Sequence, residues 1–151
     1  MNIQQDFREF LQLLERYDVD YMVIGGYAVA IHGYPRFTKD LDVFYNNDDE
    51  NVLRLKQALA EFGFPADQLK DALFSEAGTI IQFGIPPCQI DLLNQISGVG
   101  YAEASSHTVS AKYGDVEIRV IGRKELLKNK SSTDRLKDKA DVEEINRATE
   151  D

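Results

Sequence analysis

Apolar residues Ile3, Phe7, Phe10, Leu11 and Leu14 recur at the spacing of one helix face, so the chain is expected to open with an amphipathic helix ending near Tyr17. "YMVI" then predicts a short buried strand, and the "GG" after it leads into a short helix over "YAVAIHG" that Gly33 closes. Pro35 blocks continuation, which leaves Tyr34 to Lys39 as loop. "DLDVF" alternates: Leu41 and Val43 face one side of a strand, and Asp40, Asp42 and Phe44 face the other.

The pattern continues with a turn in "NNDDEN", where Asp48 or Asp49 is placed to cap a helix whose apolar face is Val52, Ala58, Leu59 and Phe62. Gly63 and Pro65 end that helix, and a weaker one is expected to hold Leu69, Ala72 and Leu73. "TIIQFGI" and "CQIDLL" predict two strands turning at Pro86-Pro87, and "SHTVSAKYGDVEIRVI" a second hairpin turning at Tyr113-Gly114-Asp115. Helical patterns close the chain at Arg123 to Ser131 and Leu136 to Thr149, joined by "SSTDR". The fold class is therefore α/β or α+β, with a mixed β-sheet and helices at both termini. Residues 1–151 read as a single domain that includes a C-terminal helical element, 123–149.

Composition narrows the function classes. A chain of 151 residues can bury roughly 70% of its unfolded surface, and 43% apolar with 28% charged residues is ordinary for a soluble globular protein. A net charge of -9 argues against binding nucleic acid through bulk charge. The single cysteine, Cys88, rules out an intramolecular disulfide or a thiolate zinc cluster and fits a small core hydrophobe. Neither a basic-then-apolar leader nor an apolar run of about 20 residues stands in the sequence, so a cytoplasmic protein without a membrane partner is expected.

Three carboxylates change that picture. On a strand, Asp40 and Asp42 share a face, roughly 6–7 Å apart at about 3.3 Å of rise per residue. Carboxylates at that spacing can converge on one divalent ion or clasp two, although a solvated polar face produces the same alternation. In "CQIDLL", Asp91 is the one charged residue of an apolar strand. Should that strand lie beside the first, three carboxylates meet, and their repulsion calls for cations. Oxygen-only ligands select Mg²⁺ or Mn²⁺. Gly25-Gly26, between strand and helix, leave first-turn amides approachable by a phosphate, or simply make a tight turn. Together these residues suit a metal-bound nucleoside triphosphate.

The run "VIGGYAVAIHGYPRFTKDLDVF" resembles the signature of the DNA polymerase β-like nucleotidyltransferase superfamily: Gly25-Gly26, a thirteen-residue spacer, then Asp40-Leu41-Asp42-Val43. It is most similar to small bacterial members related to abortive-infection toxins and antibiotic nucleotidyltransferases, which carry an Arg-x-Thr before the aspartates, here Arg36 and Thr38. "ELLKNKSSTDRLKDKADVEEI" is similar to that group's C-terminal element, with Lys130, Arg135, Lys137, Asp138 and Asp141 as counterparts.

The resemblance implies a sheet with one face carrying Asp40, Asp42 and Asp91 and the other packed by helices. It implies nucleotidyl transfer, in which an acceptor hydroxyl attacks the α-phosphate of an NTP and pyrophosphate leaves. Asp40, Asp42 and Asp91 would be catalytic metal ligands, with Asp91 nearest the acceptor and able to take its proton. Gly25, Gly26, Arg36, Thr38 and Lys130 would bind the nucleotide. The acceptor stays open between small molecule, tRNA and protein. An alternative function is a toxin–antitoxin module that engages a partner protein.

Other residues stay undivided between roles. His32 is as compatible with a structural place as with a site contact, and Arg36 with phosphate as with an aspartate. Lys137, Asp138 and Asp141 suit an ion-pair network fastening the last helix to the sheet, Asp138 and Asp141 sharing a helix face. His107 has no evident partner in the sequence, and Ser105-Ser106-His107, being adjacent, do not make a triad.

Overall fold

A computed structural model describes residues 4–33, 38–85 and 88–150, the side chains of 85 and 148–150 excepted. Ile3, the loop around Pro35 and Arg36, and the Pro86-Pro87 turn lie outside the described residues.

The opening helix α1, Gln5–Arg16, buries Phe7, Phe10, Leu11, Leu13 and Leu14. Asp18, at φ 53, turns the chain into strand β1, Tyr21–Ile24, which is buried at every position. Helix α2, Gly25–Ile31, begins at the glycine pair itself, two residues before the apolar pattern suggests, because glycine accepts the positive φ of 68 with which Gly25 leaves the strand. Strand β2, Asp40–Tyr45, follows, and then helix α3, Asp49–Phe62, capped by the Asp48 side chain on Asn51 N–H and ended by Gly63 in a left-handed conformation.

Helix α4, Asp71–Ser75, buries Phe74, while Leu73 is exposed; five residues make too short a helix for a periodic face to identify the inward position. Strands β3, Ile80–Ile85, and β4, Cys88–Leu93, pair antiparallel, as do β5, Val109–Tyr113, and β6, Val116–Val120. Between the hairpins lies helix α5, Tyr101–Ser105, which the hydrophobic pattern does not announce. Helices α6, Arg123–Ser131, and α7, Leu136–Glu150, complete the chain.

The six strands form one mixed sheet in the order β3-β4-β2-β1-β6-β5. Strand β2 pairs antiparallel with β1 and parallel with β4, and β6 runs parallel to β1. Packing of α1 and α3 covers the face that carries Leu41, Val43 and Phe83, where Phe10, Phe62, Phe64 and Phe83 meet edge to face. On the opposite face Tyr101 of α5 packs edge to face on Phe44, and the α6–α7 pair borders the carboxylates.

Buried Asn51 ties the central strands to α3. Its amide donates to the carbonyls of Asp20 at 2.9 Å and Asn46 at 2.6 Å, and its Oδ1 accepts from Asp20 N–H. One side chain thus joins the residue before β1 to the residue after β2 and holds the pair in register.

Candidate active site

The register of β2 on β4 sets Asp42 directly opposite Asp91, with Ile24 opposite Asp42 on the other side. One row of the sheet face therefore reads Ile24, Asp42, Asp91, and then Gln82 of β3, the partner of Asp91. Alternation along the strands, which sends every second side chain to the same face, is what delivers both aspartates there.

Their carboxyl groups lie within hydrogen-bonding reach of each other. Burial, the bond to Asp91 and the charges of Asp91 and Asp40 push Asp42 up to about 7, with Lys130 pulling the other way. Gln89 donates its amide to Asp91 Oδ1 at 2.9 Å. Asp40 stands exposed on the same cleft. Among the described residues, no three His, Cys, Asp or Glu side chains are gathered into a ready metal cage.

Gly25 closes the near end. A Cβ there would overlap Asp42 Oδ2 and stand 3.0 Å from Asp42 Cγ, so the carboxylate occupies the room of the missing side chain. Gly25 and Gly26, Asp40, Asp42 and Asp91 line one cleft of about 660 Å³, whose other wall includes Lys130, Thr133, Arg135, Lys137 and Asp138. Gln82, beside Asp91, and Gln95 also line the cleft and were not singled out by the sequence, since an exposed amide breaks no pattern and belongs to no motif.

Lys130 reaches the cleft but is only 6% exposed, and its Nζ lies 3.0 Å from Asp138 Oδ1 and 3.0 Å from Asp141 Oδ2. Burial opposes charge on Asp138, yet bonds from Thr133 and Lys130 hold its carboxyl below the usual range. The expected network of Asp138 and Asp141 thus forms, but it fastens α7 to α6 rather than to the sheet, and Lys137 lines the cleft instead.

Thr38 donates to the Asp40 carbonyl at 3.4 Å and stands outside the cleft lining, while Arg36 lies outside the described residues. The ring of His32 meets the Ile121 carbonyl at 2.7 Å through Nε2, a structural tie between α2 and the end of β6. His107, without a partner evident in the sequence, sits 3.5 Å from buried Glu125. Cys88 donates its thiol to Gln4 Oε1 at 3.3 Å.

A profile of the aminoglycoside-2''-adenylyltransferase family matches residues 6–94, the stretch that contains the glycine pair and all three aspartates. The chain belongs to this family. It is thereby a nucleotidyltransferase, and its solved structural neighbours share the fold. One is a lincosamide antibiotic adenylyltransferase, LnuA, with lincomycin bound: 15% identical, TM-score 0.58, covering 98% of this chain and 99% of that one. Another is a candidate nucleotidyltransferase from Thermotoga maritima, 14% identical with a TM-score of 0.61, covering 95% and 90%. A third, an antigenic nucleotidyltransferase-like protein from Paracoccidioides brasiliensis, is 16% identical with a TM-score of 0.52, covering 97% and 77%. Among curated proteins the sequence finds no significant match. Beyond family and fold, no helix among the described residues is long and apolar enough to cross a membrane.

Proposed function

We propose that this adenylyltransferase-family chain moves a nucleotidyl group from an NTP, ATP in the first instance, to an acceptor hydroxyl in the cleft between β2–β4 and α6–α7. The observation that carries the reading is the pairing of Asp42 with Asp91 in direct register, against a glycine whose absent side chain makes room for a carboxylate.

The donor set fits Mg²⁺ or Mn²⁺. Two half-buried carboxyls set against each other repel once both are ionised, and a hard divalent ion between them would relieve that repulsion. Asp42 and Asp91 would hold the ion, and exposed Asp40 would swing in as a further ligand. The ion would neutralise the triphosphate and polarise its α-phosphate.

The protein's own residues do the rest. Gly25 and Gly26 bring backbone amides of the first turn of α2 to the phosphates without a side chain in the way. Lys130 supplies positive charge from a position fixed by Asp138 and Asp141, and Arg135 and Lys137 add charge at the rim. The acceptor oxygen forms its bond to the α-phosphorus as the bond to the pyrophosphate oxygen breaks, and the hydroxyl proton passes to Asp91. Arg36 and Thr38, beside the aspartates in sequence, would steady the nucleotide. Positioning and charge neutralisation carry most of the rate in such transfers.

Titration calorimetry with ATP and Mg²⁺ tests the reading, and Asp42→Ala should abolish metal-assisted binding while the protein stays folded. Unchanged binding in that variant removes the aspartate pair from its assigned role.

A further inference from the structure

We propose that Gln89 is a positioning residue: its amide ties one oxygen of Asp91 and so fixes how that carboxylate meets a divalent cation. The inference rests on the proposed nucleotidyl transfer and adds a residue that stands behind the same site.

Strand geometry sets up the contact. Residues 89 and 91 of β4 are two apart and share the sheet face of the aspartates. In the register of β2 on β4, Asp40 is opposite Gln89 as Asp42 is opposite Asp91. Four side chains thus form a block of two by two, three carboxyls and one amide. Gln89 Nε2 donates to Asp91 Oδ1 at 2.9 Å. The amide is held that way round, because its oxygen turned toward Asp91 would set acceptor against acceptor. Gln89 stands outside the cleft lining, so it acts on the reaction only through Asp91.

The edge strand keeps that amide free for Asp91. The partner of Gln89 on β3 is Gly84, at φ 110, where a Cβ would lie 2.5 Å from the Cys88 carbonyl oxygen. Glycine there puts no side chain beside Gln89, and the row offers the amide no competing partner from β3.

Glutamine meets both demands of the position. A fourth carboxylate would add to the repulsion of the other three, and an apolar side chain would let Asp91 turn about its last torsion. For stability the bond is worth only about 1 kcal/mol, since Gln89 and Asp91 are both half-buried and water serves either nearly as well. Its larger effect is orientation: donors to a metal-binding carboxylate typically account for about 10–100-fold in metal affinity.

The test is Mn²⁺ titration of the full chain, followed by the electron paramagnetic resonance signal of the free ion, with Gln89→Met and Gln89→Leu beside wild type. Both variants lack the donor but differ in shape, so a packing role would separate them and a lost donor would act alike in both. Each is expected to bind Mn²⁺ about tenfold more weakly. The Tm in EDTA should stay within about 4 °C of wild type, the cost of one such bond.

A loss of Mn²⁺ affinity below about threefold in either variant, or a Tm in EDTA lowered beyond about 4 °C in both, overturns the inference while the aspartate site stands. A wild-type chain that binds no Mn²⁺ removes the cation from the proposed site, and this inference falls with that reading.

Discussion

Replacing Asp42 with asparagine should make the metal-free protein more stable, because the carboxylate is held where ionisation is unfavourable. Its pKa stands at about 7, against 3.8 for the ordinary side chain. Between those values the folded state binds a proton that the unfolded state has released, so stability falls as pH rises through that window and stays low above it. The gap between 3.8 and about 7 corresponds to about 4 kcal/mol. Part of that cost comes from the neighbouring charges rather than from Asp42 alone, which sets the expected gain at about 2–4 kcal/mol above pH 7.

Asparagine keeps the shape and can still donate to Asp91, so little is lost in exchange. For a domain of this size about 2–4 °C in Tm accompanies each kcal/mol, which predicts a rise of roughly 4–12 °C at pH 8. Melts followed by circular dichroism in EDTA, from pH 4 to 8, measure it. The Tm difference should be near zero at pH 4 and grow to its full size by pH 8. A difference independent of pH, or a variant less stable than wild type at pH 8, refutes the reasoning. Added Mg²⁺ should raise the wild-type Tm and leave that of Asp42→Asn unmoved, since only a native state that binds the ion gains from it.

Gly25→Ala would force a Cβ onto Asp42 at a φ of 68, and should cost about 1–3 kcal/mol in urea denaturation and abolish labelled nucleotide transfer. Full activity would remove the close approach from the mechanism. Lys130→Met removes the ammonium that bridges buried Asp138 and Asp141, and should destabilise by about 3–5 kcal/mol; a loss below about 1 kcal/mol would show that the bridge does not hold α6 to α7. Asn51→Ala removes three bonds between α3 and the strand ends and should cost about 2–4 kcal/mol, with an unchanged melting temperature as the contrary result.

Legibility in the sequence followed signal strength. Alternation in "DLDVF" and "CQIDLL" was enough to put Asp40, Asp42 and Asp91 on equivalent faces, but which strands are neighbours is decided by long-range packing, and only the β2–β4 pairing makes them one group. The glycine pair was visible, whereas the early start of α2 was not, because glycine has low helix propensity and the turn is set by tertiary contact with Asp42. Five-residue α5 and the inward turn of Phe74 fall below one clear helical period. Lys130 was singled out for phosphate, yet its two carboxylate partners come from the same C-terminal run, and the spacing of a charge pattern does not say which element the charges face. Gln82 and Gln95, which line the cleft, left no mark at all, since solvent-facing glutamines are ordinary on any edge strand or loop.

The shared space between residue 25 and Asp42 makes the two positions a single unit of variation. Shortening Asp42 would clear room for a methyl group at position 25, yet the backbone there would still sit at φ 68, so the overlap is removable and the backbone strain is not. In a library that randomises both sites, side chains at 25 should survive folding selection more often beside a small residue at 42 than beside the aspartate. Those survivors would keep the sheet and lose the charge, which separates the history of the fold from that of its chemistry at one pair of residues.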